Sequence, residues 1–274
     1  YNGPARVAGS AGTGKTIVAL HRAAHLAREH PSATILLTTF SPTLAKLLQS
    51  KLDLLIGNEP TVADRIQVHA IGDVGRWMYA QVHGEPEIAD EATVRSLLNS
   101  ASAKAGGHKF SDPFLWTEWS EIMDAWQLSD WEAYRDVARL GRKTRIGEKQ
   151  REILWSIFDR VRSDLDEQGL LTRAKVFEFA AASLADRPKP PFQFAVIDES
   201  QDLGVPELRF LAAFGAARPD ALFFAGDLGQ RIFQTAFSWK SLGVDIRGRS
   251  HTLRINYRTS HQIRSQADRL LAPE

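Results

Sequence analysis

Residues 9–16 combine three glycines with a lysine and a threonine at the carboxyl end of the segment. The segment consists of Gly9, Ser10, Ala11, Gly12, Thr13, Gly14, Lys15 and Thr16. This order matches G-x-x-x-x-G-K-[ST], in which glycines let backbone N–H groups curl around phosphate oxygens. Lys15 is expected to reach the β- and γ-phosphates, and the Thr16 hydroxyl to contact Mg²⁺, which prefers oxygen ligands. The segment therefore predicts a site for a nucleoside triphosphate, with ATP and Mg²⁺ as cofactors.

A second reactive pattern lies far along the chain, where the apolar run Phe194 to Ile197 ends in Asp198 and Glu199. A buried strand that ends in acids places its carboxylates at the carboxyl edge of a sheet, where open α/β folds bind ligands. Asp198 is expected to share the Mg²⁺ with Thr16, and Glu199 to orient or deprotonate an attacking water. Taken alone, the acidic cluster could simply cap the next helix.

Both patterns need a parallel sheet to bring them together. Short apolar runs alternate with helical stretches at both ends of the chain, which is typical of strands that feed crossover helices. The predicted strands are Arg6 to Ala8, Thr34 to Phe40, Ile66 to Ala70, Phe194 to Asp198, Ala221 to Asp227 and His251 to Tyr257.

The middle of the chain has a different periodicity. Between about Gly84 and Pro191 the strand-like runs vanish and apolar residues recur at helical spacing, as in Ile153 to Leu165. Proline- and glycine-rich stretches flank this region. We therefore predict an α/β domain in two parts, 1–84 and 191–274, interrupted by a mostly helical inserted subdomain at 85–190.

The composition sets broad limits. The chain has 274 residues, 43% of them hydrophobic, and a formal net charge of +1, so a nucleic-acid site would have to be a local basic surface. It has no cysteine, which suits a reducing cytoplasm. No apolar stretch approaches the ~20 residues that span a bilayer. We expect a cytoplasmic protein without a membrane partner.

Four further motifs follow in a recognisable order. Together with the two above, the series resembles the UvrD/Rep/PcrA group of superfamily 1 DNA helicases across nearly the whole chain except the insertion. The resemblance implies a P-loop NTPase with a RecA-like parallel sheet. The additional motifs are Thr38 to Pro42 (motif Ia), Gln67 to Ala70 (like "T-F-H"), Gly226 to Phe233 (motif III) and Asn256 to Ser260 (motif IV).

The resemblance also implies roles for individual residues. Gln230 would sense the γ-phosphate and Arg258 would contact it, so we add both to the catalytic set of Lys15, Asp198 and Glu199. Phe40 and Phe233 would stack on bases of single-stranded DNA, and His69 would contact the strand. Stacking of this kind contributes ~1–3 kcal/mol per base without reading sequence. A phenylalanine beside a strand is also typical of a core position, and a lone histidine of a structural one.

The sequence departs from the family pattern at several points. Thr235 stands where motif III usually has a tryptophan, and Pro42-Thr43 replaces the usual Asn-Lys of motif Ia. The adenine-reading glutamine motif and motifs V and VI are not found. We therefore expect a fragment whose partners are single-stranded DNA, single/double-strand junctions and a second RecA-like domain of the same protein.

The predicted activity is ATP-dependent DNA translocation or unwinding, 3′ to 5′ by resemblance. The alternative is an ATP-gated DNA-binding or regulatory module that does not unwind. The RNA-acting branch of superfamily 1 is disfavoured, because its motif III usually continues "GDxxQLPP". Two segments of the chain are basic. Segment 240–264 fits either a nucleic-acid backbone or a contact to the second domain. Segment 142–151 fits either a nucleic-acid backbone or a solvated loop.

Overall fold

The computed structural model describes residues 2–139, 146–185, 187, 189–227 and 237–257. Within this part of the chain, six strands form one sheet in the order β3-β2-β4-β5-β1-β6, and every neighbouring pair is parallel. The strands are β1 Ala5–Gly9, β2 Ile35–Thr39, β3 Ile66–Ala70, β4 Phe194–Ile197, β5 Leu222–Gly226 and β6 Ser250–Leu253.

The inner strands are mostly apolar because helices cover both faces of the sheet. Every residue of β2 and β5 is buried. This is the pattern expected of a parallel sheet between two helical layers. The edge strand β6, by contrast, is mostly exposed.

Ten α-helices lie in the described residues, together with short π- and 3₁₀-helical segments at Trp119–Met123, Ser200–Asp202 and Trp239–Leu242. The α-helices are α1 Lys15–Glu29, α2 Pro42–Ile56, α3 Pro60–Ala63, α4 Ile71–His83, α5 Glu91–Ala105, α6 Asp112–Glu118, α7 Trp131–Asp136, α8 Glu148–Glu167, α9 Arg173–Ala185 and α10 Val205–Gly215.

Alternate residues of the central strands β2, β4 and β5 enter two separate hydrophobic cores. On one face, Ile35, Val196 and Phe223 pack with α1 and α2. On the other, Leu36 and Phe224 pack with α4, α9 and α10. The alternation fixes the strand register, because a slip by one residue would exchange the two faces.

A third core lies entirely between residues 89 and 170, within the helical region predicted from the periodicity. The chain enters and leaves this region at one narrow point, where Ile88 and Leu171 form a parallel bridge. After it, α9 packs on α4 and α10, and Phe177 and Ala180 belong to a sheet core. The boundaries at 84/85 and 190/191 stay predictions; for the second, we propose a position nearer residue 171.

The predicted sheet is present, but its last strand is shorter than expected. The sequence predicts a strand from His251 to Tyr257, whereas β6 ends at Leu253. The reason lies in the next residues: the Asn256 amide donates to the carbonyl of Ala11 at 2.9 Å, and the Tyr257 N–H donates to the carbonyl of Gly12 at 2.9 Å. These two bonds draw the backbone away from β1 and onto the glycine-rich loop.

Candidate functional site

The glycine-rich loop connects the end of β1 to the start of α1. Gly12 and Gly14 have φ values of 84° and 88°, which side chains with a Cβ rarely adopt. These turns bring the loop around the Lys15 side chain, whose Nζ donates to the carbonyls of Gly9 at 2.8 Å and Ser10 at 3.0 Å. The ammonium is therefore held beneath the loop, at the amino end of a fifteen-residue helix whose dipole also favours an anion.

Asp198 follows β4 at the carboxyl edge of the sheet, next to this loop. Its side chain is only 3% exposed, and its N–H donates to the carbonyl of Thr38 at 2.8 Å. Burial and the adjacent Glu199 raise the pKa of Asp198 to about 6, whereas a hydrogen bond from Thr16 and the charge of Lys15 act in the opposite direction. The loop and the acidic strand end are thus in direct contact.

One oxygen of this carboxylate, Oδ1, is buried and receives no hydrogen bond from the described part of the chain. An unsatisfied buried oxygen is costly and calls for a specific explanation. A hard cation such as Mg²⁺ takes carboxylate and hydroxyl oxygens as ligands, so the pair of Asp198 and Thr16 fits that ion. The donor set matches the metal expected from the sequence.

Glu199 has an unusual backbone and a defined side-chain partner. Its φ of 51° and ψ of 42° place a non-glycine residue in the left-handed region, which costs on the order of 1–3 kcal/mol. Its carboxylate accepts a hydrogen bond from the amide of Gln201 at 2.7 Å. Residues held in such conformations often lie at functional sites.

Lys15, Thr16 and Glu199 line a single cavity of about 890 Å³. The loop and the first turns of α1 form one wall, and Arg254 and Tyr257 lie on another. The predicted phosphate-binding residues and Glu199 therefore share one pocket at the carboxyl edge of the sheet, and Asp198 lies next to it against Thr16.

Sequence reasoning missed two apolar groups that line this cavity. The Tyr257 side chain is 79% exposed, and Ile17 is also largely exposed. Exposed apolar groups at a cavity mouth can contact the flat face of a nucleotide base. Tyr257 belongs to motif IV, where it precedes Arg258, and this position is the signal that could have identified it. The strand predicted there does not suggest a contact between Tyr257 and the loop.

Phe40, predicted to contact DNA, lies just after β2 and is 39% exposed. The guanidinium of Arg173, the first residue of α9, lies 5.4 Å from the centre of its ring. Arg173 also pairs with the buried Glu207 at 3.3 Å. No motif or spacing associates Arg173 with Phe40, because only the tertiary fold brings the two residues together.

The other predicted site residues differ in how far they can be placed. The side chain of His69 is exposed at the end of β3. Gln230, Phe233 and Arg258 lie outside the described residues.

The basic segment 240–264 is partly described. Arg247 pairs with Asp245, and the Arg249 Nε donates to the carbonyl of Pro4 at 2.9 Å. Arg254 lines the cavity. Of these three arginines, Arg254 is the one that lines the cavity.

The parallel sheet, the glycine-rich loop before α1 and the acidic strand end define the class of P-loop α/β proteins with a RecA-like fold. The model of the UvrD/REP helicase N-terminal domain matches residues 1–239, and the chain belongs to that family. Membership places it in a helicase and ATPase enzyme class that acts on nucleic acid. A comparison with curated proteins gave no match. Among the described helices, none combines the length and apolarity that a membrane crossing requires.

Proposed function

We propose that this chain binds and hydrolyses ATP and couples hydrolysis to movement along single-stranded DNA, in the 3′ to 5′ direction by resemblance. The observation that carries the proposal is the shared cavity of Lys15, Thr16 and Glu199, with Asp198 bonded to Thr16 beside it. Phosphoryl transfer to water requires groups that surround the phosphates, groups that bind the metal and a group that activates the water.

Each residue at the cavity has a definite task in this proposal. Lys15 leaves the loop carbonyls to bind the β- and γ-phosphates, and the loop N–H groups surround the same oxygens. Thr16 and Asp198 hold Mg²⁺, which neutralises charge on the phosphate oxygens when it is bound. Glu199 orients the attacking water and accepts its proton. Gln230 and Arg258 contact the γ-phosphate.

The nucleotide base lies on the outer part of the cavity. We propose that the exposed ring of Tyr257 stacks on the base, with Ile17 as an apolar contact nearby. Lys51 of α2 also lines this cavity and is available to a polar group of the nucleotide.

The DNA strand crosses the same edge of the sheet, over the ends of β2 and β3. Phe40 and Phe233 stack on bases, His69 contacts the strand, and Arg173 supplies a cation beside Phe40. Base stacking tolerates any base, so this surface grips single-stranded DNA without reading its sequence.

A second RecA-like domain completes the site by adding an arginine to the transition state, since such a residue contributes a large share of catalysis in this reaction class. Residues 1–274 alone are therefore expected to bind MgATP with little turnover. A second candidate function is an ATP-gated DNA-binding module without unwinding. It is favoured if nucleotide changes DNA affinity while no strand is displaced.

The test is ATPase activity of the full protein that contains this chain, measured with and without single-stranded DNA and RNA, followed by a strand-displacement assay. We expect stimulation by DNA, and loss of turnover in Lys15→Ala. Substitution of Lys104, an exposed lysine in the last turn of α5, provides a control for the loss of one positive charge. Turnover at the wild-type rate in Lys15→Ala would refute the proposed function.

A further inference from the structure

Gln201 lies in the short 3₁₀-helical turn after the acidic strand end, and both atoms of its amide are bonded. Its Nε2 donates to Glu199 Oε2 at 2.7 Å, and its Oε1 accepts from the backbone N–H of Asp227 at 2.9 Å. The side chain is 7% exposed. A single buried amide thus joins the carboxylate beside β4 to the backbone at the end of β5.

The end of β5 leaves no spare room around this amide. A Cβ added at Gly226 would lie 2.8 Å from Gln201 Oε1 and 3.1 Å from the Gln201 backbone nitrogen, and would overlap Ser200 Oγ. Because Gly226 has no Cβ, the Gln201 turn can pack directly against the end of β5. Gly226 is therefore required here by the close approach of the turn.

Glu199 depends on this contact. Within the described part of the chain, its carboxylate has one hydrogen-bond donor, the Gln201 amide. Its own backbone is in the left-handed region, so nothing in the local helix or strand geometry sets where the carboxylate points. The direction of Glu199 into the cavity thus rests on Gln201.

We propose that Gln201 is a positioning residue that fixes the Glu199 carboxylate for catalysis and links it to the end of β5. The inference rests on the proposed function, in which Glu199 activates water. The amide of Gln201 donates to the carboxylate through its NH₂ group and accepts from the N–H through its oxygen at the same time. Asp227 directly precedes residues 228–236, which contain Gln230 and Phe233. The link therefore joins Glu199 to the segment predicted to contact the γ-phosphate and DNA.

Gln201→Glu separates this role from a merely structural one. The new carboxylate still accepts from Asp227, so the bond that braces β5 is retained, but it cannot donate to Glu199 and repels it instead. In the full protein at pH 8, we expect kcat of the DNA-stimulated ATPase to fall ~10- to 100-fold, as displacement of a reacting group by about an ångström does. KM for ATP and the affinity for single-stranded DNA should stay within about twofold, because neither contact involves Gln201.

Gln193→Glu is the matched control. Gln193 immediately precedes β4 at the opposite edge of the sheet, accepts from the Thr34 N–H at 2.6 Å and donates to the Pro190 carbonyl at 3.2 Å. The substitution also keeps an acceptor and loses a donor, and kcat should be unchanged. Melting temperatures of both variants show whether each is folded.

Gly226→Ala tests the link from the other side. It should lower kcat by displacing the Gln201 amide, and its effect should be less than additive with Gln201→Glu, because both act through one hydrogen bond. Wild-type kcat in folded Gln201→Glu, or an equal loss in Gln193→Glu, would overturn the inference. If the wild-type protein has no DNA-stimulated ATPase, the proposed function itself fails.

Discussion

The carboxyl edge of the sheet and the helical insertion satisfy their polar groups in different ways. At the sheet edge, Asp198 Oδ1, Ser10 Oγ and Thr39 Oγ1 are buried and have no partner among the residues that the structure describes, and Glu199 has a strained backbone. In the insertion, the buried Glu118 accepts hydrogen bonds from Tyr134 at 3.0 Å and Arg139 at 2.9 Å. Arg151 Nε, buried without a partner, and Gln127, with a φ of 49°, are exceptions among its described residues.

This difference separates groups arranged for chemistry from groups arranged for stability. Unsatisfied buried oxygens and strained backbone cost free energy and persist where a ligand or a reaction uses them. A closed network of phenol, carboxylate and guanidinium leaves nothing for a ligand. We therefore expect substitutions at the sheet edge to change activity, and substitutions in the insertion to change stability.

The largest effect is expected at Glu199. Glu199→Gln removes the water-activating carboxylate and should lower kcat of the full protein by ~10²- to 10⁴-fold, the usual contribution of a general base. Binding of a fluorescent ATP analogue should be retained, since Lys15 and the loop are intact. Steady-state kinetics measure kcat, and a fluorescence titration measures binding of the analogue. Glu91→Gln, at an exposed ion pair in the insertion, is the control.

The insertion should show the opposite behaviour. Glu118→Ala leaves the Arg139 guanidinium, whose side chain is 10% exposed, without its carboxylate. Removing one partner of a buried pair costs ~3–5 kcal/mol. We expect the free energy of unfolding in denaturant titrations to fall by about that amount, with ATPase activity per folded molecule unchanged. A selective loss of activity without loss of stability would contradict the division between the two regions.

A smaller effect is expected at Phe40, where Arg173 of α9 lies over the ring. Arg173→Ala should weaken binding of labelled oligo(dT) by about tenfold and reduce the slope of log affinity against log salt by ~0.7, as the loss of one phosphate contact does for a single strand. Fluorescence anisotropy measures both quantities. The control is Arg95→Ala, which removes an arginine that lies over Trp116 and pairs with Glu91.

Glu207→Gln distinguishes a DNA contact from a structural role of Arg173. It removes the negative charge paired with Arg173 but keeps an acceptor for the Gly204 N–H. Affinity for oligo(dT) should be unchanged or higher if Arg173 binds DNA. Weaker DNA binding by folded Glu207→Gln would contradict the contact.

The smallest expected effect is a pH dependence at Asp124, which accepts hydrogen bonds from Thr172 and Gln127 between the insertion and α9. Burial raises the pKa of Asp124 to about 6. Because the folded state then binds the proton more tightly than the unfolded state, stability is full below about pH 4 and falls as the pH rises through 6, by at most ~1.4 kcal/mol per pH unit. Asp124→Asn should flatten this slope in unfolding titrations between pH 5 and 7. An unchanged slope would show that Asp124 does not titrate there.

Much of the fold could be predicted because its signals are local. The glycine-rich loop, the apolar strands that end in acids, and the change to helical periodicity each occupy a short stretch of sequence. Phosphate-binding loops and parallel strands require particular residue types, which can be recognised in the sequence without knowledge of the tertiary contacts.

The features that could not be predicted depend on contacts between distant segments. The early end of β6 follows from hydrogen bonds of Asn256 and Tyr257 to the loop, and α9 joins the sheet core through packing on α4 and α10. The bond from Asp227 to Gln201 likewise links two strand ends. No periodicity or spacing encodes such pairs, because each is set by the order of strands in the sheet.

A crystal structure of this chain with Mg²⁺ and a non-hydrolysable ATP analogue tests the shared cavity most directly. We expect the triphosphate in the glycine-rich loop, with Lys15 Nζ within hydrogen-bond distance of the γ-phosphate, the ion between Thr16 and Asp198, and the Glu199 carboxylate directed at the γ-phosphate. Nucleotide bound away from the loop, or an ion that involves neither Thr16 nor Asp198, would contradict the proposed site.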